Sequence, residues 1–194
     1  MNDDILLNIL NRDAKYVNSH VNLDILEGAD VTITGATGLV GLNIICALNY
    51  YNNNNAKQRI NINALSYSKP IGVIKKVFEE NCVNSISGDL SDCSFIKKLP
   101  LSDCIIHSAG YGQPGKFLDD KLKTISINTS ATISLSKKLK KEGRFLFLSS
   151  SEVYSGCTSK ENIESDIGTT APNHASSCYI EGKRSGETVI NVLR

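Results

Sequence analysis

The chain has 194 residues, a formal net charge of +1, 41% hydrophobic residues and 21% charged residues, which is typical of one globular domain, or of one domain and a fragment of another. So small a net charge gives no electrostatic reason to expect nucleic acid as a partner, and the lysine pairs, such as Lys140-Lys141, are expected on solvated helix faces. No run reaches the ~18 apolar residues of a membrane-spanning helix, so we expect a cytoplasmic protein with no membrane partner. The six cysteines have no metal-ligand spacing with the three histidines, so no metal site is expected.

Residues 1–28 have helical apolar spacing followed by an irregular stretch, and we interpret them as an N-terminal helical lead-in without chemistry of its own. Residues 29–194 then alternate predicted strands and helices. That alternation predicts an α/β fold, a Rossmann-like doubly wound parallel sheet with helices on both faces. Ligands of such a sheet bind over the carboxyl ends of the strands.

The first predicted strand, at residues 31–34, runs into a turn that contains three glycines, after which the apolar spacing becomes helical. Gly35 permits a tight turn, Gly38 lets backbone N–H groups approach a pyrophosphate, and Gly41 lets the helix pack close to its strand. The expected ligand is a dinucleotide at the N-terminus of this helix. The residues predicted to hold it are Gly35, Thr37, Gly38, Leu39, Val40 and Gly41.

The second predicted strand covers residues 60–65 and is followed by Ser66. In an NAD-binding fold an acidic residue is expected about 20 residues beyond the glycines, where it holds the ribose 2′-OH, and none is present here. Ser66, Ser68 and Lys69 could instead accept the 2′-phosphate of NADP. We therefore predict NAD as the cofactor, leave NADP open, and place Ser66 in the cofactor site.

A helix at residues 71–80 and a third strand at residues 83–87 come next, followed by Asp89 and Leu90, which we also assign to the cofactor site. The Asp89 carboxylate would accept a hydrogen bond from the adenine amino group. The alternative is that Asp89 is the N-cap of the helix predicted at residues 91–99.

The fourth predicted strand covers residues 103–110 and is apolar at its centre, as a buried parallel strand should be. His107 is interpreted as a structural residue rather than a catalyst. The strand ends in small residues that would let a cofactor pass close above them, namely Ser108, Ala109 and Gly110.

A single long helix is predicted from residue 117 to residue 141. It carries Asn128, which we assign to the cofactor site, although the alternative is simply a polar helix residue. A fifth strand at residues 144–148 then leads into the segment 149–154, and a last helix is predicted at residues 176–194.

Tyr179 and Lys183 are four residues apart, so on a helix they share a face. A phenol keeps its proton at neutral pH, but an ammonium group ~4 Å away favours the phenolate by ~4 kcal/mol at an effective dielectric constant of ~20. Lys183 can therefore make Tyr179 a general base, and Ser150 can hold the substrate oxygen in line with it. The predicted chemistry is oxidation of an alcohol, with proton removal from oxygen and hydride transfer to a nicotinamide.

Four segments carry a family resemblance: GATGLVG at 35–41, HSAG at 107–110, SSSEVY at 149–154 and YIEGK at 179–183. Together they resemble the extended short-chain dehydrogenase/reductases, in particular the NAD-dependent nucleotide-sugar epimerase/dehydratase family. Within that family, the segments around Ser150 and Tyr179 look most like those of UDP-glucuronate decarboxylases. The resemblance covers residues 29–194.

The resemblance implies a role for each candidate residue. Tyr179 is the base, Lys183 is its activator and a ribose ligand, and Ser150 is a partner of the sugar hydroxyl. Ser151 and Glu152 would serve the second step, in which a C4-keto sugar loses its carboxylate as CO2. The implied partner is a nucleotide sugar, with a UDP-sugar favoured, and the full-length form is expected to be a homodimer.

Other functions remain open at this stage. A 4-epimerase needs Tyr179, Lys183 and Ser150 but no carboxylate chemistry, whereas 4,6-dehydratases usually have Asp-Glu where this chain has Ser151-Glu152. A non-catalytic dinucleotide-binding module would explain the missing acid at Ser66. Family members also continue into a C-terminal substrate domain, which this chain lacks, so we expect it to bind the dinucleotide weakly at best and to turn over little alone.

Overall fold

Five strands alternate with eight helices in the computed structural model, which describes residues 3–111 and 113–193. The strands are β1 (Asp30–Thr34), β2 (Asn61–Ser66), β3 (Asn84–Ser87), β4 (Ser102–His107) and β5 (Leu139–Phe147). The helices are α1 (Asp3–His20), α2 (Leu39–Asn54), α3 (Gly72–Glu80), α4 (Cys93–Lys97), α5 (Pro114–Asp119), α6 (Lys121–Asn128), α7 (Ser130–Ser136) and α8 (Ser177–Val192). Short 3-10 turns occur at Asp24–Leu26 and Ser151–Tyr154.

The five strands form one parallel sheet with the order β3-β2-β1-β4-β5. β1 pairs with β2 on one side and with β4 on the other, and β2 pairs with β3. Thr34, the last residue of β1, lies beside Leu65 of β2 and His107 of β4. This strand order is that of a Rossmann-like fold, so the predicted fold class is confirmed.

The chain divides into two compact units. The first contains the chain up to Asp89 together with Leu99–Ala109 and Lys138–Leu146, and therefore holds the sheet. The second contains Leu90–Lys98, Gly110–Lys137 and the chain from Phe147 onward, and therefore holds α8.

The core of the first unit forms between the sheet and the helices that follow its strands. Val31 and Ile33 of β1 are completely buried, and α2 packs on β1 and β2 through residues such as Ile45. α1 packs against α2 and α3 and adds Leu10 to the same core. Burial of these apolar side chains is the main force that stabilises the unit.

The second unit is built from helices that pack on α8. α5, α6 and α7 contact α8, as does the 3-10 turn at Ser151–Tyr154, and α4 contacts α7. Ile127, Leu135 and Ile180 are among its buried side chains. α8, which carries Tyr179 and Lys183, is therefore held by contacts along much of its length.

The long helix predicted from residue 117 to residue 141 is wrong. Asp120 caps α6, its carboxylate accepting from the Lys123 N–H at 3.0 Å, and this separates α6 from α5. Thr129, with φ −113° and ψ −79°, interrupts the chain again before α7. β5 then begins at Leu139, and the Lys138 carbonyl accepts from the N–H of Ser102 at 2.9 Å.

The interpretation of Lys140 as part of a solvated helix face is also wrong. Lys140 lies in β5, and its Nζ is 2.6 Å from Asp30 Oδ2 and 2.8 Å from Asp103 Oδ2. Asp103 Oδ2 also accepts from the backbone N–H of Asp30 at 2.8 Å. The Lys140 ammonium and the Asp30 N–H hold the pKa of Asp103 below its usual range. This cluster ties β1, β4 and β5 together.

None of the described helices is long and apolar enough to cross a membrane. All six cysteines are free thiols, of which Cys46 and Cys178 are buried. Burial raises the pKa of Cys46 to about 11, so this thiol stays protonated at neutral pH.

Candidate active site

The glycine turn joins β1 to α2 in the first unit. Gly35 has φ +66°, and a Cβ added there would lie 2.9 Å from the backbone of Ala109. A Cβ on Gly41 would lie 2.4 Å from the carbonyl oxygen of Gly35. Both positions therefore exclude a side chain, because the turn, the β4 end and the helix approach each other too closely.

The outer side of the turn is open. Gly38 is the N-cap of the 16-residue α2 and contributes no side-chain acceptor to the first N–H groups of the helix. Leu39 is 82% exposed and Val40 47%, while Thr37 is half-buried. Uncapped N–H groups and the positive end of the helix dipole attract anions, so these residues fit the pyrophosphate of a dinucleotide.

The ends of β1 and β4 are locked together behind the turn. Thr34 Oγ1 accepts from the N–H of Ala109 at 3.0 Å and is hydrogen-bonded to His107 Nδ1 at 2.7 Å. The hydroxyl of Ser108 donates to the carbonyl of Thr34. His107 is completely buried, which fits the structural role predicted for it. Nothing in the sequence indicated that Thr34 would pair with it.

The end of β2 is a tight polar turn. Ser66 is 5% exposed, and its hydroxyl donates to the carbonyl of Ser68 at 2.8 Å. Its own carbonyl accepts from the N–H of Gly88 at 3.0 Å, which links the end of β2 to the segment that leads to Asp89. The one hydroxyl proton of Ser66 is therefore used in a hydrogen bond within the turn.

Asp89 is half-buried, but it is not the cap of the next helix. That cap is Asp92, whose carboxylate accepts from the N–H of Ser94 at 2.8 Å. The N-cap alternative for Asp89 is therefore wrong, and its assignment to an adenine amino group stays a prediction. Leu90 is buried, with 9% exposure.

Tyr179 and Lys183 lie on one face of α8 in the second unit. The Tyr179 ring stacks on Phe117, with 4.8 Å between centroids and 11° between planes. Lys183 Nζ lies 5.8 Å from the centroid of the Tyr179 ring. The stacking limits rotation of the phenol, so the amine and the phenol keep a defined spacing.

Lys183 is a buried amine with one hydrogen-bond acceptor among the described residues. The side chain is 5% exposed, and Nζ donates to the carbonyl of Leu148 at 2.7 Å. Nζ also lies 4.8 Å from the centroid of Phe147, and a Cβ on Gly110 would approach it to 3.7 Å. Burial lowers the pKa of Lys183 to about 8, and the nearby Glu187 carboxylate opposes this shift.

The segment from Ser150 to Glu152 forms the start of a 3-10 turn. Ser150 is its N-cap, and its hydroxyl accepts from the N–H of Glu152 at 3.3 Å. The side chains of Ser151 and Glu152 are exposed. Both side chains therefore face solvent. Among the described residues, the Glu152 carboxylate makes no hydrogen bond or ion pair that would hold the turn in place.

Arg184 fixes this turn to α8. Its Nε donates to the carbonyl of Val153 at 2.9 Å and its Nη2 to the carbonyl of Ser155 at 3.2 Å. Nη1 is 2.7 Å from Glu181, and Ser149 donates to the carboxylate of Glu187. The candidate catalytic segment and the Tyr/Lys helix are thus joined by a planar cation with two backbone partners.

Asn128 is completely buried at the end of α6. Its amide nitrogen donates to the carbonyl of Thr124 at 2.8 Å, and a Cβ on Gly182 would lie 3.4 Å from it. Its Oδ1 has no hydrogen-bond partner within the described part of the chain. A buried acceptor of this kind costs ~1–3 kcal/mol unless a ligand or water pairs with it. Asn128 has no exposed surface, so its assignment to the cofactor site stays a prediction.

Sequence reasoning missed three participants in this site. Phe117 supports the Tyr179 ring, the Leu148 carbonyl accepts a hydrogen bond from Lys183 Nζ, and Arg184 holds the candidate catalytic segment. A backbone carbonyl leaves no mark on a sequence. Arg184 directly follows Lys183 in α8, but adjacent residues of a helix lie on different faces, so the Tyr179–Lys183 spacing gave no signal for its contacts.

The family model described as the NAD dependent epimerase/dehydratase family matches residues 31–194. The match covers most of the chain, and it includes the glycine turn, the segment 149–154 and α8, which carries Tyr179 and Lys183. The chain belongs to the NAD-dependent epimerase/dehydratase family.

Curated relatives are similar to this chain in sequence, and solved structures share its fold. UDP-glucuronic acid decarboxylase 2 of Arabidopsis thaliana is 27% identical over 171 residues, which are 84% of this chain and 35% of that protein. UDP-glucuronic acid decarboxylase 6 of the same plant is 26% identical over 92% of this chain and 48% of that protein. The UDP-Glc/GlcNAc 4-epimerase from Campylobacter jejuni superposes with a TM-score of 0.67 at 20% identity, over 85% of this chain and 49% of that chain. The chain thus spans half or less of the length of these proteins.

Proposed function

We propose that this chain is the cofactor-binding and proton-transferring part of an enzyme that oxidises the C4 hydroxyl of a nucleotide sugar, with UDP-glucuronate as the substrate and its decarboxylation as the reaction. The observation that carries the proposal is the set of Tyr179, the buried amine of Lys183 and the Ser150–Glu152 turn that Arg184 fixes to α8. The relatives named UDP-glucuronic acid decarboxylases support the choice of substrate.

The glycine turn is the proposed holder of the dinucleotide. Its three glycines, with Thr37, Leu39 and Val40, provide the uncapped helix N-terminus that fits a pyrophosphate. Ser66, Asp89, Leu90, Ser108, Ala109, Gly110, Asn128 and Lys183 complete the proposed set of cofactor residues. When bound, the nicotinamide supplies the acceptor and later the donor of a hydride.

Tyr179 is the proposed general base. The phenolate takes the proton of the C4 hydroxyl, while Ser150 holds the same oxygen by a hydrogen bond. Lys183 favours the phenolate by its charge, because an ammonium ~6 Å away contributes ~3 kcal/mol at an effective dielectric constant of ~20. The stacking of Tyr179 on Phe117 keeps the phenol from turning away from that charge.

Ser151 and Glu152 are the proposed groups for the second step. A C4 ketone is β to the C6 carboxylate, so the C5–C6 bond breaks with release of CO2 and its electrons pass into the C4 carbonyl as an enolate. Solvent water then supplies a proton to C5, with the exposed Glu152 carboxylate as the proposed relay, and Tyr179 returns its proton to the C4 oxygen when the ketone is reduced. The products are CO2 and a UDP-pentose.

The test is to incubate the polypeptide that carries this chain with UDP-glucuronate and a nicotinamide dinucleotide, and to follow CO2 and the nucleotide sugars by mass spectrometry. We expect CO2 and a UDP-pentose, and we expect Tyr179→Phe to reduce kcat by ~10²–10⁴-fold. Tyr16→Phe, at a 66% exposed position of α1, is the matched control.

Three results would redirect the proposal. A C4-epimerised UDP-sugar without CO2 would identify a 4-epimerase, and loss of water from a UDP-hexose would identify a 4,6-dehydratase. Dinucleotide binding with no turnover of any nucleotide sugar, unchanged in Tyr179→Phe, would identify a non-catalytic module.

A further inference from the structure

The turn between β2 and α3 lies where a dinucleotide-binding fold reads the ribose 2′ position. NAD-binding folds place a carboxylate there to accept from the 2′-OH, whereas NADP-binding folds place a basic group there to meet the 2′-phosphate. This chain reads Ser66-Tyr-Ser-Lys-Pro-Ile-Gly72 and has no acidic residue in the turn. The hydroxyl of Ser66 donates to the carbonyl of Ser68, so its proton is not available to a ligand, although its oxygen can still accept.

Lys69 provides an unneutralised positive charge in this turn. Its side chain is exposed, and it has no ion pair within residues 3–111 and 113–193. The two lysines of α3 differ, because Lys75 Nζ is 3.6 Å from Glu79 and Lys76 Nζ is 3.9 Å from Glu80. Lys69 is therefore the cation of this region that has charge left for a ligand.

There is space beside Lys69 for a phosphate group. A cavity of about 370 Å³ is lined by Lys69, Pro70, Ser85 and Ser87, and also by Lys75 and Glu79, which pair with each other at 3.6 Å. Ser87 lies beside Ser66 in the register of the sheet. A 2′-phosphate at this edge of the sheet would thus meet a lysine and serine hydroxyls, which are donors suited to it.

We propose that this turn selects NADP over NAD, with Lys69 as the residue that binds the 2′-phosphate. This inference rests on the proposed function, because it presumes that the glycine turn holds a dinucleotide. Asp89, the acid that follows β3, is left to the adenine amino group and does not take the place of the missing ribose carboxylate.

The test is calorimetric titration of the chain with NADP, NAD, 2′,5′-ADP and 5′-AMP up to millimolar concentration. We expect the phosphorylated member of each pair to bind about tenfold more tightly, which is the effect of one charge-assisted hydrogen bond. Lys69→Met should bring NADP to within about twofold of NAD and leave the NAD affinity unchanged. Lys76→Met is the control, because it removes a positive charge that is paired with Glu80 in α3. This variant should keep the native ratio of NADP affinity to NAD affinity.

Three other outcomes of the titrations would each contradict a different part of the proposal. Equal or tighter binding of NAD would overturn the selectivity and leave the proposed function standing. If the ratio of NADP affinity to NAD affinity falls as far in Lys76→Met as in Lys69→Met, the assignment of Lys69 to the 2′-phosphate is wrong. Failure of all four ligands to bind would contradict the dinucleotide site, and with it both the proposed function and this inference.

Discussion

Lys183 Nζ donates to the carbonyl oxygen of Leu148 at 2.7 Å, inside a region where the lysine side chain is only 5% exposed. Burial lowers the pKa of Lys183 to about 8, from an ordinary value of 10.5. Between those two values the unfolded chain binds more protons than the folded chain. The contribution of Lys183 to stability therefore rises as the pH rises from about 8 to 10.5.

The comparison of the native chain with Lys183→Met isolates this effect. We expect the difference in free energy of unfolding to move in favour of the native chain by ~2–3 kcal/mol between pH 7 and pH 10. Denaturant unfolding at the two pH values measures it. A difference that stays constant with pH would show that the amine has its ordinary proton affinity in the folded state.

Gly41→Ala should disrupt the glycine turn. The added Cβ would lie 2.4 Å from the carbonyl oxygen of Gly35, so the turn or the start of α2 must shift. We expect a loss of ~2–4 kcal/mol in the free energy of unfolding and a loss of dinucleotide binding. Gly115→Ala is the control, because nothing lies within 4 Å of a Cβ there. Native-like binding by Gly41→Ala would mean that the turn does not hold the pyrophosphate.

Lys140→Met should destabilise the sheet. It leaves the carboxylates of Asp30 and Asp103 close together without the cation that bridges them. We expect a lower free energy of unfolding at neutral pH, because the two carboxylates then repel each other without the bridging cation. Lys141→Met, at the exposed neighbouring position, should change the free energy of unfolding by less than ~0.5 kcal/mol.

The effect of Lys140→Met should also depend on pH. Because the pKa of Asp103 is lowered in the folded state, the stabilisation is present above the ordinary carboxyl range and is lost as the pH falls through the lowered value. The native chain and Lys140→Met should therefore converge in stability in strong acid. Persistence of the full difference there would point to packing of the lysine stem rather than to charge.

Arg184→Lys should weaken the chemistry and spare the cofactor site. A lysine keeps the charge but cannot donate to Val153 and Ser155 with the planar geometry of a guanidinium. We expect kcat with UDP-glucuronate to fall by about tenfold or more and the dinucleotide Kd to stay within about twofold. Arg12→Lys, an exposed change in α1, serves as the control. An equal fall in dinucleotide affinity would mean that Arg184 supports the whole unit.

The fold was predictable where local pattern and tertiary environment agree. β1, β4 and α2 are marked by buried apolar runs and by glycines that only a tight turn requires. The second half of β5 was predicted as the strand at residues 144–148, but its first half was assigned to a helix, because Leu139-Lys-Lys-Glu142 favours a helix locally. Its strand conformation depends on pairing with β4 and on the contacts of Lys140 with two distant carboxylates.

The side chains of the candidate site were predictable from the sequence, but the groups that contact and position them were not. Tyr179, Lys183 and Ser150 carry recognisable spacing and chemistry. The partner of the Lys183 ammonium is a backbone carbonyl, and the platform under Tyr179 is Phe117, 62 residues earlier in the chain. Neither kind of contact follows a local period, so only the folded chain identifies them.

Phe117 lies in α5, just after the Gly/Pro stretch that begins at Gly110, and its ring is the surface on which the reacting phenol rests. The orientation of Tyr179, the proposed base, therefore depends on a helix to which no chemical step is assigned. If Tyr179 is the base, as we propose, insertions or deletions between Gly110 and Phe117 should lower kcat by reorienting its ring, even though they remove none of the proposed reacting groups.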